Sequence, residues 1–97
     1  MPLRSYIVTY DISSPRRWRA VFRTMHGFGE HVQLSVFRCD LTPLQREQMV
    51  SALTELVHHL DDQVLVIDLG PSGRRVIEGI TVVGRPQAFR VPSARVI

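Results

Sequence analysis

The sequence predicts an α+β domain in which two helices pack on one face of a small sheet. Strand and helix patterns follow one another in the order strand, helix, strand segment, helix, strand, strand. The chain has 97 residues, of which 44% are hydrophobic and 22% charged, and this suits one globular domain with one core. The order is that of the ferredoxin-like βαββαβ sandwich, followed by an additional C-terminal strand.

The N-terminal pattern predicts a strand over residues 5–10 and then a helix. Tyr6–Tyr10 are all β-branched or aromatic, as is typical of a buried strand. Ser14 is a suitable N-cap, and Pro15 suits the first helical position because its missing N–H has no helical partner there. The helix is predicted to end at Gly27, and its apolar face consists of Trp18, Val21, Phe22 and Met25.

Residues 31–41 leave two alternatives for the next part of the sheet. The segment HVQLSVFRCDL alternates in part between apolar and polar residues, which favours a strand. It contains no Gly, Asn or Pro that would mark a hairpin turn. Either a sharp bend near Ser35 divides it into two short strands, or it forms one kinked strand.

The second half of the domain is predicted from a capping pattern and from apolar runs. Thr42 and Gln45 have the spacing of a capping box around Pro43, and the helix is expected to include His58 and His59 in its last turn. Residues 63–70 form a continuous apolar run, which predicts a central strand, and residues 76–84 are expected to form one more. The domain therefore covers residues 1–84, and residues 85–97 are a Pro/Arg-containing tail, either disordered or an arm for a partner.

The basic residues are all arginine and lie mainly at the two ends of the chain. Residues 1–38 carry six arginines against two acids, a net charge of +4. Residues 39–70 have a net charge of −5, with one arginine against six acids, and residues 71–97 return to +4, with five arginines against one acid. Because the arginine fork matches phosphate, the two basic ends indicate a nucleic-acid partner.

The arginines of the first helix lack acidic neighbours in the sequence. Arg16, Arg19 and Arg23 share one side of that helix, and no acid occurs within residues 12–29. A solvated charged face is the ordinary explanation for such a pattern. Phosphates of a bound nucleic acid are the alternative counter-ions, and they would make binding strongly dependent on salt.

Several functional classes are excluded by missing motifs. The sequence has no phosphate loop, no nucleophile elbow and no HExxH zinc motif. Cys39 is the only cysteine, so an internal disulfide and a cysteine zinc site are excluded. No apolar run approaches the roughly 20 residues that span a bilayer, and the N-terminus does not resemble a signal peptide, so a cytoplasmic protein is expected.

Asp11 is the best candidate for a functional side chain. It follows directly after the first predicted strand, where a rigid backbone can present a side chain for function. A turn or a helix cap is the structural alternative for an aspartate in this place. In a two-fold dimer a residue near the axis meets its own copy. Two Asp11 carboxylates would then form a hard oxygen site suited to Mg²⁺ or Mn²⁺.

Three motifs together resemble the CRISPR-associated Cas2 family. They are TYDIS at residues 9–13, the arginine-rich helix, and GFGEHVQLSVF at residues 27–37. The resemblance implies a ferredoxin-like homodimer that acts in spacer acquisition, bridges the Cas1 integrase and binds double-stranded DNA. It also implies metal-dependent endonuclease activity on RNA or DNA, which is reported for several members and is dispensable in others.

The resemblance further implies roles for individual residues. Asp11 would be the catalytic, metal-binding carboxylate, with its counterpart supplied by the second subunit. The expected nucleic-acid-binding residues are Arg16, Arg17, Arg19, Arg23 and Arg38. The residues expected to support the site are Tyr10, Ser13, His31, Ser35 and Phe37. Two positions depart from the family: His31 stands where many members have arginine, and Arg38, which adds positive charge for DNA, stands where many have an acid.

Three functions are open on the sequence alone. The first is a metal-dependent endonuclease that uses Mg²⁺ or Mn²⁺. The second is a non-catalytic adaptor that holds DNA for the integrase, and the third is a related small RNA-cleaving toxin of similar fold.

Overall fold

A computed structural model describes residues 2–90 and confirms the ferredoxin-like α+β fold. One antiparallel sheet of four strands has the order β2-β3-β1-β4. The elements are β1 (Arg4–Asp11), α1 (Pro15–His26), β2 (Glu30–Gln33), β3 (Val36–Leu41), α2 (Pro43–Leu56), β4 (Gln63–Pro71) and α3 (Arg74–Glu78).

The core lies between the sheet and the two long helices α1 and α2. Alternate residues of β1 point into it, since successive side chains of a strand lie on opposite faces. Tyr6, Val8 and Tyr10 are accordingly buried, whereas Ile7 and Thr9 between them are only partly covered. The other buried apolar residues are Val21, Met25, Phe37, Cys39, Leu41, Met49 and Leu53.

Both long helices begin as their sequences predict. The Ser14 hydroxyl oxygen accepts a hydrogen bond from the Arg17 backbone N–H at 3.3 Å. At the start of α2 the capping box is complete: the Gln45 N–H donates to Thr42 Oγ1 at 3.2 Å, and the Thr42 N–H donates to Gln45 Oε1 at 2.9 Å. These bonds satisfy N–H groups that have no partner within a helix.

The segment after α1 forms two strands, which decides between the two alternatives for residues 31–41. β2 and β3 are joined at Leu34 and Ser35, so the chain bends where a split was expected. The Tyr10 N–H donates to the Ser35 carbonyl at 3.1 Å. The bend is thus held by β1 rather than by a glycine or a proline, and local sequence gave no sign of it.

Two predictions about the second half of the domain are wrong. β4 lies at an edge of the sheet, not in its centre. Its residues alternate: Val64 and Val66 pack against the core, while Leu65 and Ile67 face away from it. α2 ends at Leu56, so His58 and His59 lie in the loop that follows and not in the helix.

The predicted strand over residues 76–84 is also wrong. The short helix α3 covers its beginning, and no strand follows α3 as far as residue 90. Gly73 begins this helix with a φ of 147°, a conformation that side chains other than glycine rarely adopt. The first part of the tail, residues 85–90, returns to the sheet at Arg90, whereas residues 91–97 lie outside the described residues. Within residues 2–90, none of the helices combines the length and apolarity that crossing a membrane requires.

Candidate metal site and nucleic-acid surface

Asp11 lies at the C-terminal end of β1 with its side chain exposed. It is the last residue of the strand and pairs with Gln63 of β4. Because Tyr10 points into the core, Asp11 lies on the opposite side of the sheet. Among residues 2–90 no hydrogen bond or ion pair involves its carboxylate. The turn or cap interpretation of Asp11 therefore has no contact to support it, and the carboxylate is available to an external ligand.

The sheet surface beside Asp11 is unusually apolar. We call it the open sheet face, and define it by Ile7, Thr9, Asp11, Leu65 and Ile67. Cross-strand pairs Ile7–Ile67 and Thr9–Leu65 place these side chains together. Leu65 is 47% exposed and Ile67 is 44% exposed. An antiparallel sheet normally has a polar outer face, so this apolar surface next to a free carboxylate is suited to a partner.

The turn after Asp11 is held by an aspartate that the sequence analysis missed. The carboxylate of Asp62 accepts from the Ser13 N–H at 3.0 Å and from the Ser13 hydroxyl at 3.1 Å. It also accepts from Arg17 Nε at 2.7 Å and from the His58 N–H at 2.8 Å. The hydrogen bonds from Arg17, His58 and Ser13 lower the pKa of Asp62. An acid-rich segment opposite acid-free arginines was the signal in the sequence, but not its register.

The α1 arginines fall into two groups. Arg16, Arg19 and Arg23 are exposed, and no residue in the described part of the chain pairs with them. Arg17 instead forms an ion pair with Asp62, and this bond raises the pKa of its guanidinium. Of the four predicted nucleic-acid contacts on this helix, three are therefore free for phosphate and Arg17 is already engaged.

Tyr10 and Ser35 support the end of β1 from the helix side. Trp18 Nε1 donates to the Ser35 hydroxyl at 2.9 Å, and the Tyr10 ring lies 6.3 Å from the Trp18 ring. The Tyr10 hydroxyl is buried without a hydrogen-bond partner among the described residues. Burial raises the pKa of Tyr10 to about 12. These two residues hold the strand end in place, and neither presents a group beside Asp11.

His31 and Phe37 belong to an aromatic cluster on the helix side of the sheet. Phe37 is fully buried, and the His31 ring lies 5.1 Å from both the Phe37 and Phe22 rings. Asp11 lies on the opposite face. The expectation that they support the Asp11 site is therefore wrong: Phe37 is a core residue, and His31 covers the edge of the aromatic cluster.

Arg38 was predicted to bind nucleic acid, and the structure places it elsewhere. Its side chain is only 2% exposed, between Glu30 at 2.7 Å and Asp40 at 3.0 Å. Its Nη2 also donates to the carbonyl of Arg90 at 2.6 Å, while Asp40 accepts from the Ser5 hydroxyl. A buried arginine between two carboxylates offers no charge to a phosphate, so Arg38 is a structural residue.

The described residues of one chain do not form a complete metal site. No group of three or more His, Cys, Asp or Glu side chains within residues 2–90 is arranged to hold a metal ion. Asp11 supplies one hard oxygen ligand of the kind that Mg²⁺ and Mn²⁺ prefer. A second ligand has to come from another molecule.

Comparisons with known proteins identify the family. The family model of the CRISPR associated protein Cas2 matches residues 4–75. The chain belongs to the Cas2 family. A CRISPR-associated endoribonuclease Cas2 of Geobacter sulfurreducens is 54% identical over 67 residues, which are 69% of this chain and 70% of that protein. A Cas2 endoribonuclease of Rhodospirillum rubrum is 52% identical over 68 residues, 70% of this chain and 67% of that protein.

A solved member of the Cas2 family has the same fold. The crystal structure of Streptococcus pyogenes Cas2 superimposes with a TM-score of 0.74 at 27% sequence identity. The match covers 82% of this chain and 99% of that one. The family resemblance read from the TYDIS and GFGEHVQLSVF motifs is thereby confirmed, together with the ferredoxin-like arrangement that it implied.

Proposed function

We propose that this Cas2 chain is a homodimeric, metal-dependent endonuclease that binds nucleic acid in CRISPR adaptation. The observation that carries the proposal is the unpaired Asp11 carboxylate at the margin of the open sheet face. The names of the relatives from Geobacter sulfurreducens and Rhodospirillum rubrum support a nuclease, since both are called endoribonucleases. These names also favour a CRISPR protein over an unrelated RNA-cleaving toxin.

The open sheet face is the proposed dimer contact. Half-exposed Leu65 and Ile67 lose their remaining contact with water when two such faces meet. A two-fold axis across this surface makes the contact self-complementary and brings two copies of Asp11 toward one another. Without a cation, two close carboxylates repel each other, and Mg²⁺ or Mn²⁺ held between them relieves that repulsion.

The residues of this chain then divide the work between metal binding and substrate binding. When bound, Mg²⁺ supplies Lewis acidity, which stabilises negative charge on a scissile phosphate and activates water. Asp11 of each subunit holds the ion. Arg16, Arg19 and Arg23 contact backbone phosphates, which positions double-stranded DNA or single-stranded RNA without reading its bases.

A non-catalytic adaptor is the second candidate function. The exposed face of Arg16, Arg19 and Arg23 favours it, because duplex binding by these residues requires no chemistry at Asp11. In this function the dimer holds DNA and bridges the Cas1 integrase during spacer acquisition.

Asp11→Asn separates the two candidates, and Glu55→Gln is its matched control. Glu55 is an exposed carboxylate of α2 with no partner among the described residues, so its loss removes one charge at a distance from the site. Cleavage of labelled RNA and of duplex DNA is measured with Mg²⁺ and with EDTA. We expect Asp11→Asn to abolish the Mg²⁺-dependent cleavage that Glu55→Gln retains.

Duplex binding by the same variants identifies the adaptor function. If Mg²⁺-dependent cleavage is equal in wild type and Asp11→Asn, the endonuclease proposal is refuted. If wild type binds duplex DNA, and integrase-dependent spacer acquisition continues in Asp11→Asn, the adaptor function alone is retained. Loss of duplex binding in Asp11→Asn would point to a changed structure, which the dimer population and thermal unfolding then reveal.

A further inference from the structure

The Asp62 carboxylate connects three parts of the chain around the Asp11 site. It accepts the Ser13 N–H and hydroxyl from the turn after β1. It accepts Arg17 Nε at 2.7 Å and Arg17 Nη2 at 3.2 Å from the first turn of α1. The His58 N–H, from the loop before β4, donates to it at 2.8 Å. The Asp62 side chain itself is completely inaccessible to solvent.

These contacts fix the backbone of Asp11 from both sides. Gln63, the residue after Asp62, is the cross-strand partner of Asp11 in the sheet. Ser13, two residues after Asp11, is bound through its N–H and its hydroxyl. Asp11 therefore lies between a strand pair and an anchored turn, both of which depend on the same short segment of chain.

Asp62 also decides which arginines remain available. Its paired contact with Arg17 is the geometry in which an arginine binds a carboxylate most strongly. Arg16, the neighbouring residue, is exposed and has no partner among residues 2–90. Two adjacent arginines of one helix turn thus have different tasks, and Asp62 is the cause of the difference.

We propose that Asp62 is a positioning residue for the Asp11 metal site, and that it withholds the charge of Arg17 from nucleic acid. This inference rests on the proposed role of Asp11. Asp62 holds the turn through Ser13 and so keeps the Asp11 carboxylate in the place where it meets the ion. Removing either partner of the Asp62–Arg17 pair loosens that turn, but only removal of Asp62 sets the Arg17 charge free.

Opposite effects on DNA binding test the second part of the proposal. The slope of log K against log salt concentration is measured for duplex binding by the full chain. We expect Arg16→Gln to make the slope shallower by about 0.9, the value for one phosphate contact. Arg17→Gln should leave the slope unchanged, and Asp62→Asn should make it steeper by about 0.9. Equal shallowing by Arg17→Gln and Arg16→Gln would overturn the proposal.

Metal binding tests the first part without relying on cleavage. Mn²⁺ is titrated into the labelled protein, and paramagnetic broadening of the Asp11 amide resonance is followed. Loss of an outer-shell partner weakens metal binding by about 10-fold or more, so Asp62→Asn and Arg17→Gln should shift the midpoint by that factor. An unchanged midpoint in Arg17→Gln refutes the positioning role, even if Asp62→Asn fails to fold. Absence of broadening in wild type refutes the metal site itself, while the salt slopes still test the assignment of Arg17.

Discussion

Replacing Ile67 by aspartate is expected to convert the proposed homodimer into monomers. Ile67 is 44% exposed on the open sheet face. Complete burial of such a side chain is worth about 1.5–3 kcal/mol, so burial of its exposed half contributes about 0.7–1.5 kcal/mol. A two-fold contact contains Ile67 twice, so the substitution removes roughly 1.5–3 kcal/mol from dimerisation. The dissociation constant should rise about 10- to 150-fold, before the cost of desolvating two aspartates is added.

Sedimentation equilibrium over a range of protein concentrations measures this change. Leu44→Asp is the matched control, because Leu44 is 67% exposed at the start of α2 and does not belong to the open sheet face. The control should dimerise like wild type. Mg²⁺-dependent cleavage should fall with the dimer population in Ile67→Asp, since the two Asp11 carboxylates then separate. An Ile67→Asp protein that dimerises as strongly as wild type would refute the placement of the contact on this face.

Four further predictions concern the fold. Arg38→Met should destabilise by about 3–5 kcal/mol in urea unfolding, because it leaves two largely covered carboxylates without their cation; an effect below about 1 kcal/mol would contradict this. Gly29→Ala should cost about 1–3 kcal/mol, since its Cβ collides with the Arg38 backbone, and near-neutral stability would contradict the close packing. Tyr10→Phe should be neutral or stabilising in thermal unfolding, because it removes a buried hydroxyl that has no partner among residues 2–90; clear destabilisation would indicate a bound water. The lowered pKa of Asp62 means that its contribution is complete above the unfolded pKa of about 3.9 and is lost as pH falls below it. The difference in melting temperature between wild type and Asp62→Asn should therefore shrink below about pH 4, and a constant difference would contradict the ion pair.

The parts of the fold that could be predicted are those specified by neighbouring residues. Ser14 and Pro15 begin α1, and Thr42 with Gln45 begins α2, because caps act within a few residues of chain. The bend at Ser35 could not be assigned, since the N–H that holds it comes from Tyr10 in another strand. The edge position of β4 was missed for a similar reason: an apolar run fits a central strand and also an edge strand that is covered by a partner.

The candidate site was predictable where function depends on exposure, and not where it depends on pairing. Asp11 is exposed and unpaired within the described chain, as a strand-end carboxylate can be. Arg16, Arg17 and Arg38 are equivalent in composition, yet Asp62 binds the second and two carboxylates bury the third. Contacts between residues some 45 positions apart decide this, and one sequence without its register does not reveal them.

The contact between Arg38 and residue 90 has a consequence for how the C-terminal sequence can vary. Arg38 binds the carbonyl of Arg90, and Glu30 accepts its N–H. Both are peptide groups, which every residue except proline possesses. This attachment is therefore indifferent to the side chain at position 90, and it tolerates sequence drift there as long as proline is avoided. Loss of Arg38, in contrast, releases the segment whatever its sequence, so the constraint on this part of the chain lies in the sheet and not in the segment that it holds.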